Sequence, residues 1–205
     1  ALDPYLSNSC KTIGDKNGFD MDRLVPAPLA AKELAGVDAY VMTHSHQDHC
    51  DPETLAACRA AGGRGPYVAP GETIKKLERL GIPKRELRLV WPNREVQFGD
   101  VTLRATFAIP FGGDDLTHVG YLVSVCGGPK LYFTGDTAWH ELLADAMAPH
   151  RPDVLIAVIN IVVVLVAMVL TEPSFGAVIV AVCLPALAFS VAMRRPVIFW
   201  LRTYK

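Results

Sequence analysis

The sequence predicts an α/β (α+β) fold, mixed sheets flanked by helices in a layered sandwich, on three observations. Short runs rich in β-branched and aromatic residues alternate with amphipathic stretches between Leu29 and Ile159. Glycine or proline marks many of the junctions between them. The apolar run Val37–Met42 also empties directly into a cluster of histidines and an aspartate. Alternating runs of this kind bury one face each by packing in layers. At 205 residues the chain is long enough for one such core.

Taken in order, Leu29 to Leu34 reads as a short helix ahead of the buried strand Val37–Met42. Asp51-Pro52-Glu53 opens a helix through Arg59, because an aspartate accepts the free N–H groups of a first turn and proline is tolerated there. Tyr67-Val68-Ala69 is a short strand, and Glu72 to Leu80 an amphipathic helix stopped by Gly81 and Pro83. Leu87 to Val90 is a strand, and Glu95-Val96-Gln97-Phe98 pairs with Val101 to Thr106 across Gly99-Asp100. Tyr121 to Val125 and Lys130 to Phe133 form a hairpin around Gly127-Gly128-Pro129. A helix from Trp139 to Met147 then precedes a buried strand, Val154 to Ile159.

The chemistry is concentrated in Thr43-His44-Ser45-His46-Gln47-Asp48-His49. Neutral imidazole and carboxylate suit borderline divalent metals such as zinc, manganese or iron, whereas thiolates favour closed structural zinc. Alternate residues of an extended segment share a face, so His44 and His46 can reach one ion together. Asp48 and His49 follow as the chain turns. Cys50 adjoins them, but a single thiol without a partner reads as a small buried residue.

These residues carry a resemblance. The T-H-x-H-x-D-H segment resembles the signature of the metallo-β-lactamase-fold hydrolases. Leu2-Asp3-Pro4-Tyr5-Leu6-Ser7 resembles the strand end upstream of that signature, and Tyr132-Phe133-Thr134-Gly135-Asp136-Thr137 its glycine-aspartate-threonine segment. Thr106 to Pro110 and Asp115 to Tyr121 are similar to the L-ascorbate-6-phosphate lactonase-like branch. The resemblance spans about residues 1–160 and implies an αββα sandwich with one or two divalent ions. It makes His44, His46 and His118 ligands of a first ion. Asp48 and His49 would bind a second ion or position the attacking water, with Asp48 as the catalytic carboxylate, and Asp136 would bridge or complete the site. Two bland readings stand beside these: His118 as a polar residue entering a strand, and Asp136 as a helix cap with Thr137 as rival. His140 and His150 read as surface or helix-end residues.

The resemblance implies a metal-dependent hydrolase using a metal-bound hydroxide on a lactone or ester, such as a sugar-phosphate lactone. Phosphodiesterase or β-lactam hydrolase is the alternative chemistry. A small-molecule substrate is the expected partner; no basic stripe lies near the histidines, so nucleic acid is not expected. Lys11, Lys16 and Arg23 are basic residues near the site in sequence that could meet a phosphate.

The tail, residues 161–205, departs from this pattern. Val154 to Thr171 and Pro173 to Met193 contain no charged residue, and Arg194-Arg195 follow. As helices of 1.5 Å rise per residue both approach the roughly 30 Å of a bilayer core. Val154 to Asn160 therefore has two competing assignments, sheet strand or start of a membrane span. The metal-binding family continues into a second half with a late histidine, and none follows His150 here, so the sandwich is expected to be incomplete at both ends. An inactive, membrane-attached metal-binding remnant is the reading from another functional class. Five scattered cysteines suit a reducing compartment, so the expected location is cytoplasmic, with membrane association through the tail.

Overall fold

Alternation along one short strand sorts the core into two halves. In the computed structural model, which describes residues 1–18, 20–110, 113–138 and 140–158, Tyr40–Val41 is strand β1. Tyr40 and Met42 face one way, into a cluster with Leu55 and Cys58 of helix α2 (Pro52–Ala60) and Leu77 of helix α3 (Gly71–Arg79). Ala39 and Val41 face the other way, against Leu103, Ala105, Val119 and Tyr121. The period of two in a strand produces this division, and it stacks helices on one sheet and that sheet on a second.

The first sheet is parallel. β1 pairs with β2 (Tyr67–Ala69), and β2 with β3 (Leu87–Leu89). The second sheet has the order β4 (Glu95–Phe98), β5 (Val101–Phe107), β6 (Val119–Val125), β7 (Lys130–Asp136), β8 (Val154–Val158). It is antiparallel except for the β7–β8 pair. Helix α1 (Ser9–Asn17) precedes β1, and helix α4 (Glu141–Met147) joins β7 to β8.

Most local expectations hold. Asp51 caps α2 by accepting from the Glu53 N–H at 3.1 Å, with Pro52 at the first helical position. Gly81 follows α3 at φ 79°, the left-handed conformation in which glycine carries no Cβ penalty. Both predicted hairpin pairings are present, with the β6 and β7 strands longer than expected.

Four expectations need correction. The strand before the histidines is laddered only at Tyr40–Val41 rather than along Val37–Met42. The Thr43 N–H donates to the Asp3 carboxylate at 2.7 Å, which ends the ladder where the loop begins. Asp136 is the last residue of β7 and not a helix cap; α4 is capped by His140, whose Nδ1 accepts from the Leu142 N–H at 3.1 Å. The strand at Val154–Val158 is not buried: Leu155 is 60% exposed, because β8 closes the end of the sheet with β7 as its only paired strand among the described residues. Val154–Val158 is also strand rather than the start of a membrane span. The rest of that stretch and all of Pro173 to Met193 lie outside the described residues, among which no helix is long and apolar enough to cross a membrane.

Candidate metal centre

The site forms where the first sheet's central loop meets the ends of two strands of the second. After β1 the chain bends through His44–His46, then turns tightly, with the Cys50 N–H donating to the His46 carbonyl at 2.8 Å. That turn returns His49 beside His44, their ring centroids 4.0 Å apart. The Val119 N–H at the start of β6 donates to the Thr43 carbonyl at 3.0 Å. This bond sets His118 beside His44, again with centroids 4.0 Å apart.

Asp136 arrives by a different device. The β7–β8 register shifts between Phe133 and Asp136, and Gly135 sits at φ 58°. A Cβ on Gly135 would stand 2.8 Å from Thr43 Cβ, so only glycine lets β7 pass this close to the histidine loop. The irregularity re-aims the strand end, and Asp136 Oδ2 lies 3.8 Å from His44 Nε2.

Hydrogen bonds fix which nitrogen of each ring faces the centre. Thr43 Oγ1 donates to Asp3 Oδ2 at 2.6 Å and so accepts from His44 Nδ1 at 3.0 Å. His118 Nδ1 donates to the Asp136 carbonyl at 3.0 Å. The remaining Nε2 atoms of His44 and His118 are buried without a hydrogen-bond partner. Leaving such atoms unpaired is costly unless something else satisfies them. His46 directs its Nε2 to Asp114 at 2.9 Å.

Two groups that could hold a metal ion result, each with its atoms within 4.8 Å of one another: His44 with His46 and His118, and His44 with His49 and Asp136. Five of the six sequence candidates therefore converge. The sixth, Asp48, belongs to neither set; its Oδ2 lies 3.4 Å from His49 Nε2 and its side chain is half exposed. Cys50 is buried, and burial pushes its thiol up to about 11, so it remains a protonated core residue.

The electrostatics differ sharply across the cluster. Burial, together with the neighbouring imidazoles, lowers His44 to about 3 and keeps it neutral. Burial also works to lower His49, but Asp136, Asp3 and Asp48 around it raise it to about 12. Asp3 Oδ2 holds His49 Nδ1 at 2.8 Å, while Nε2 lies 3.3 Å from Asp136 Oδ1. Carboxylates that retain a proton this strongly make a good environment for a cation, and a metal ion there would take the proton's place. Asp48, despite its partial burial, is lowered to about 2 by His49 beside it.

Four supporting residues had no role assigned from sequence: Asp3, Thr43, Asp114 and Asp115. Each lies in or beside a segment carrying the family resemblance, yet none shows a ligand spacing, so sequence gave position without purpose. Two of the three basic candidates are otherwise engaged. Lys11 pairs with Asp22 at 2.6 Å, and Arg23 donates to the carbonyls of Tyr5 and Ser7. Lys16 lies exposed in the last turn of α1.

Comparisons with known proteins show the family and the fold. Residues 3–164 match the model of the beta-lactamase superfamily domain. An uncharacterized protein of Mycobacterium tuberculosis is 32% identical over 155 residues, covering 73% of this chain and 40% of the relative. A probable L-ascorbate-6-phosphate lactonase of Escherichia coli is 27% identical over 151 residues, covering 64% and 42%. The crystal structure of a possible metal-dependent hydrolase from Veillonella parvula shares the fold with a TM-score of 0.60 at 22% identity, over 75% of this chain and 62% of that one. An isothiocyanate hydrolase from Delia radicum gut bacteria does so at 0.55 and 18%, with the same coverage. The chain spans about two-fifths of the length of these curated relatives, 40% and 42%.

Proposed function

This chain belongs to the beta-lactamase superfamily, and from that premise we propose that it forms the metal-binding half of a metal-dependent hydrolase acting on a lactone or ester. The observation that carries the reading is the convergence of His44, His46 and His118, two of whose Nε2 atoms are buried and unpaired. Three imidazoles are the donor set of an open catalytic site. They would hold one divalent ion, and His49 with Asp136, sharing His44, would hold a second. Bound there, a divalent cation supplies Lewis acidity, acidifying a water molecule and polarising the carbonyl under attack.

The chain's own residues do the rest. Asp48, ionised far below neutral pH, is a poor proton store and acts by accepting a hydrogen bond from the water, which aims its lone pair. Asp3 and Thr43 hold the rings of His49 and His44 in the tautomers that present Nε2. Hydrolysis then forms the bond from water oxygen to acyl carbon and breaks the acyl C–O bond, the leaving oxygen taking the proton.

The likeness to a probable L-ascorbate-6-phosphate lactonase supports a sugar-phosphate lactone as substrate. Against the phosphate stands the engagement of Lys11 and Arg23 in the N-terminal loop, so the lactone ring is the better supported feature. The test measures metal content and hydrolysis of lactone, phosphodiester and β-lactam panels by the same preparation. Lactone hydrolysis abolished by chelation and restored by zinc or manganese is the expected result. Bound metal with no turnover on any panel would instead leave a metal-binding remnant.

A further inference from the structure

We propose that Asp115 is a positioning residue for metal binding, its buried carboxylate clamping the loop that carries His44 and His46 to the loop that carries His118. The inference rests on the reading of those three histidines as one ligand set. Asp115 is 1% exposed. Its Oδ2 accepts from the Ser45 N–H at 2.9 Å, and Ser45 lies between the two loop histidines. Its Oδ1 accepts from both the N–H and the hydroxyl of Thr117 at 2.8 Å, and Thr117 directly precedes His118. One side chain thus ties together segments 70 residues apart in sequence at the positions adjoining all three ligands.

Helix α3 braces the clamp from behind. The Glu72 N–H in its first turn donates to Thr117 Oγ1 at 3.1 Å, and Lys76 Nζ donates to the Ser45 carbonyl at 2.8 Å. Each loop therefore touches both Asp115 and the same helix. The neighbouring Asp114 works differently: 71% exposed, it orients a single ring through His46 Nε2. Burying a carboxylate is unfavourable unless its oxygens are satisfied, and here three donors satisfy them. Ring spacing matters because a metal tolerates donor distances only within about 0.2 Å.

Asp115→Asn tests the clamp with little change in volume. The amide offers one acceptor in place of two, so its NH2 must face a donor, either Ser45 N–H or Thr117. The measurement is a cobalt(II) titration of the full chain, reading affinity and the visible ligand-field bands. Asp115→Asn is expected to weaken cobalt binding about 10- to 100-fold and to shift the bands. Thr117→Val, which removes the hydroxyl's links to Asp115 and to the Glu72 N–H and serves if the first variant does not fold, is expected to weaken it about fivefold. Glu86→Gln breaks the 2.7 Å ion pair with Arg59 at the opposite edge of the first sheet. It should lower the melting temperature and leave affinity and bands alone.

Wild-type affinity and bands in a folded Asp115→Asn or Thr117→Val protein would overturn the positioning role while leaving the metal site intact. So would equal weakening by Glu86→Gln, since lost stability would then explain the effect. A wild-type chain that takes up no cobalt would overturn both the ligand set and the clamp.

Discussion

On one side of His44 lie His46 and His118, three imidazoles with no carboxylate closing their set. On its other side lie His49 and Asp136, backed by Asp3 and Asp48. The shared ring is kept neutral at about 3, whereas its neighbour His49 is raised to about 12. Buried imidazoles of one loop, with centroids 4.0 Å apart, thus hold protons in opposite ways. The difference follows from local charge: burial alone expels a proton, and burial among carboxylates retains one. His44 offers its ring without a proton at neutral pH, and His49 must exchange a proton for a cation.

The most damaging way to probe that contrast is to remove its pivot. His44→Ala deletes the ligand common to both sets, so bound metal and hydrolysis should both fall to background. Metal analysis beside turnover checks this, and one ion retained at full stoichiometry would mean that the two sides are independent. Gly135→Ala should come next. It forces a Cβ into a left-handed backbone and against Thr43, for a cost of about 2–4 kcal/mol. A denaturant midpoint unchanged from wild type would show that β7 approaches the loop more loosely than described.

Asp3→Asn sharpens the comparison on the acidic side, where the charge stands behind His49. It keeps the shape but removes that charge, and should weaken the second ion about 10- to 100-fold and the first less, through the Thr43 hydroxyl that positions the shared His44. Sequential cobalt titration separates the two steps, and equal losses in both would indicate a general loosening of the loop.

The proton balance gives a pH test with a definite sign. In the metal-free chain the His49 proton stabilises the fold fully below its ordinary value of 6.5, and that contribution is lost as pH rises toward about 12. An ion in the acidic set replaces the proton, so its affinity should climb about tenfold per pH unit throughout the range below about 12, releasing one proton per ion bound. His44 runs the other way: kept neutral, it costs stability only as pH falls from 6.5 toward about 3. Thermal shifts with and without zinc across this range check both slopes. The smallest effect belongs to Cys50→Ala, where loss of a buried sulfur should cost about 1 kcal/mol and leave metal stoichiometry unchanged.

Sequence alone determined the parts of this protein that are local. The histidine loop is contiguous, so its candidate ligands were visible as a pattern. The Asp51-Pro52 start of α2, the Gly81 stop of α3 and the glycine-centred hairpins depend on capping and turn chemistry within a few residues. Tertiary structure decided what depends on long-range register. His118 lies beside His44 because the start of β6 bonds the Thr43 carbonyl, and Asp136 lies there because β7 slips its register at a left-handed glycine. Neither event has a periodicity to read. The supporting carboxylates Asp3 and Asp115 were hidden for the same reason. An isolated aspartate in a sequence carries no sign of being buried, and only the folded chain brings it the donors that make its burial tolerable.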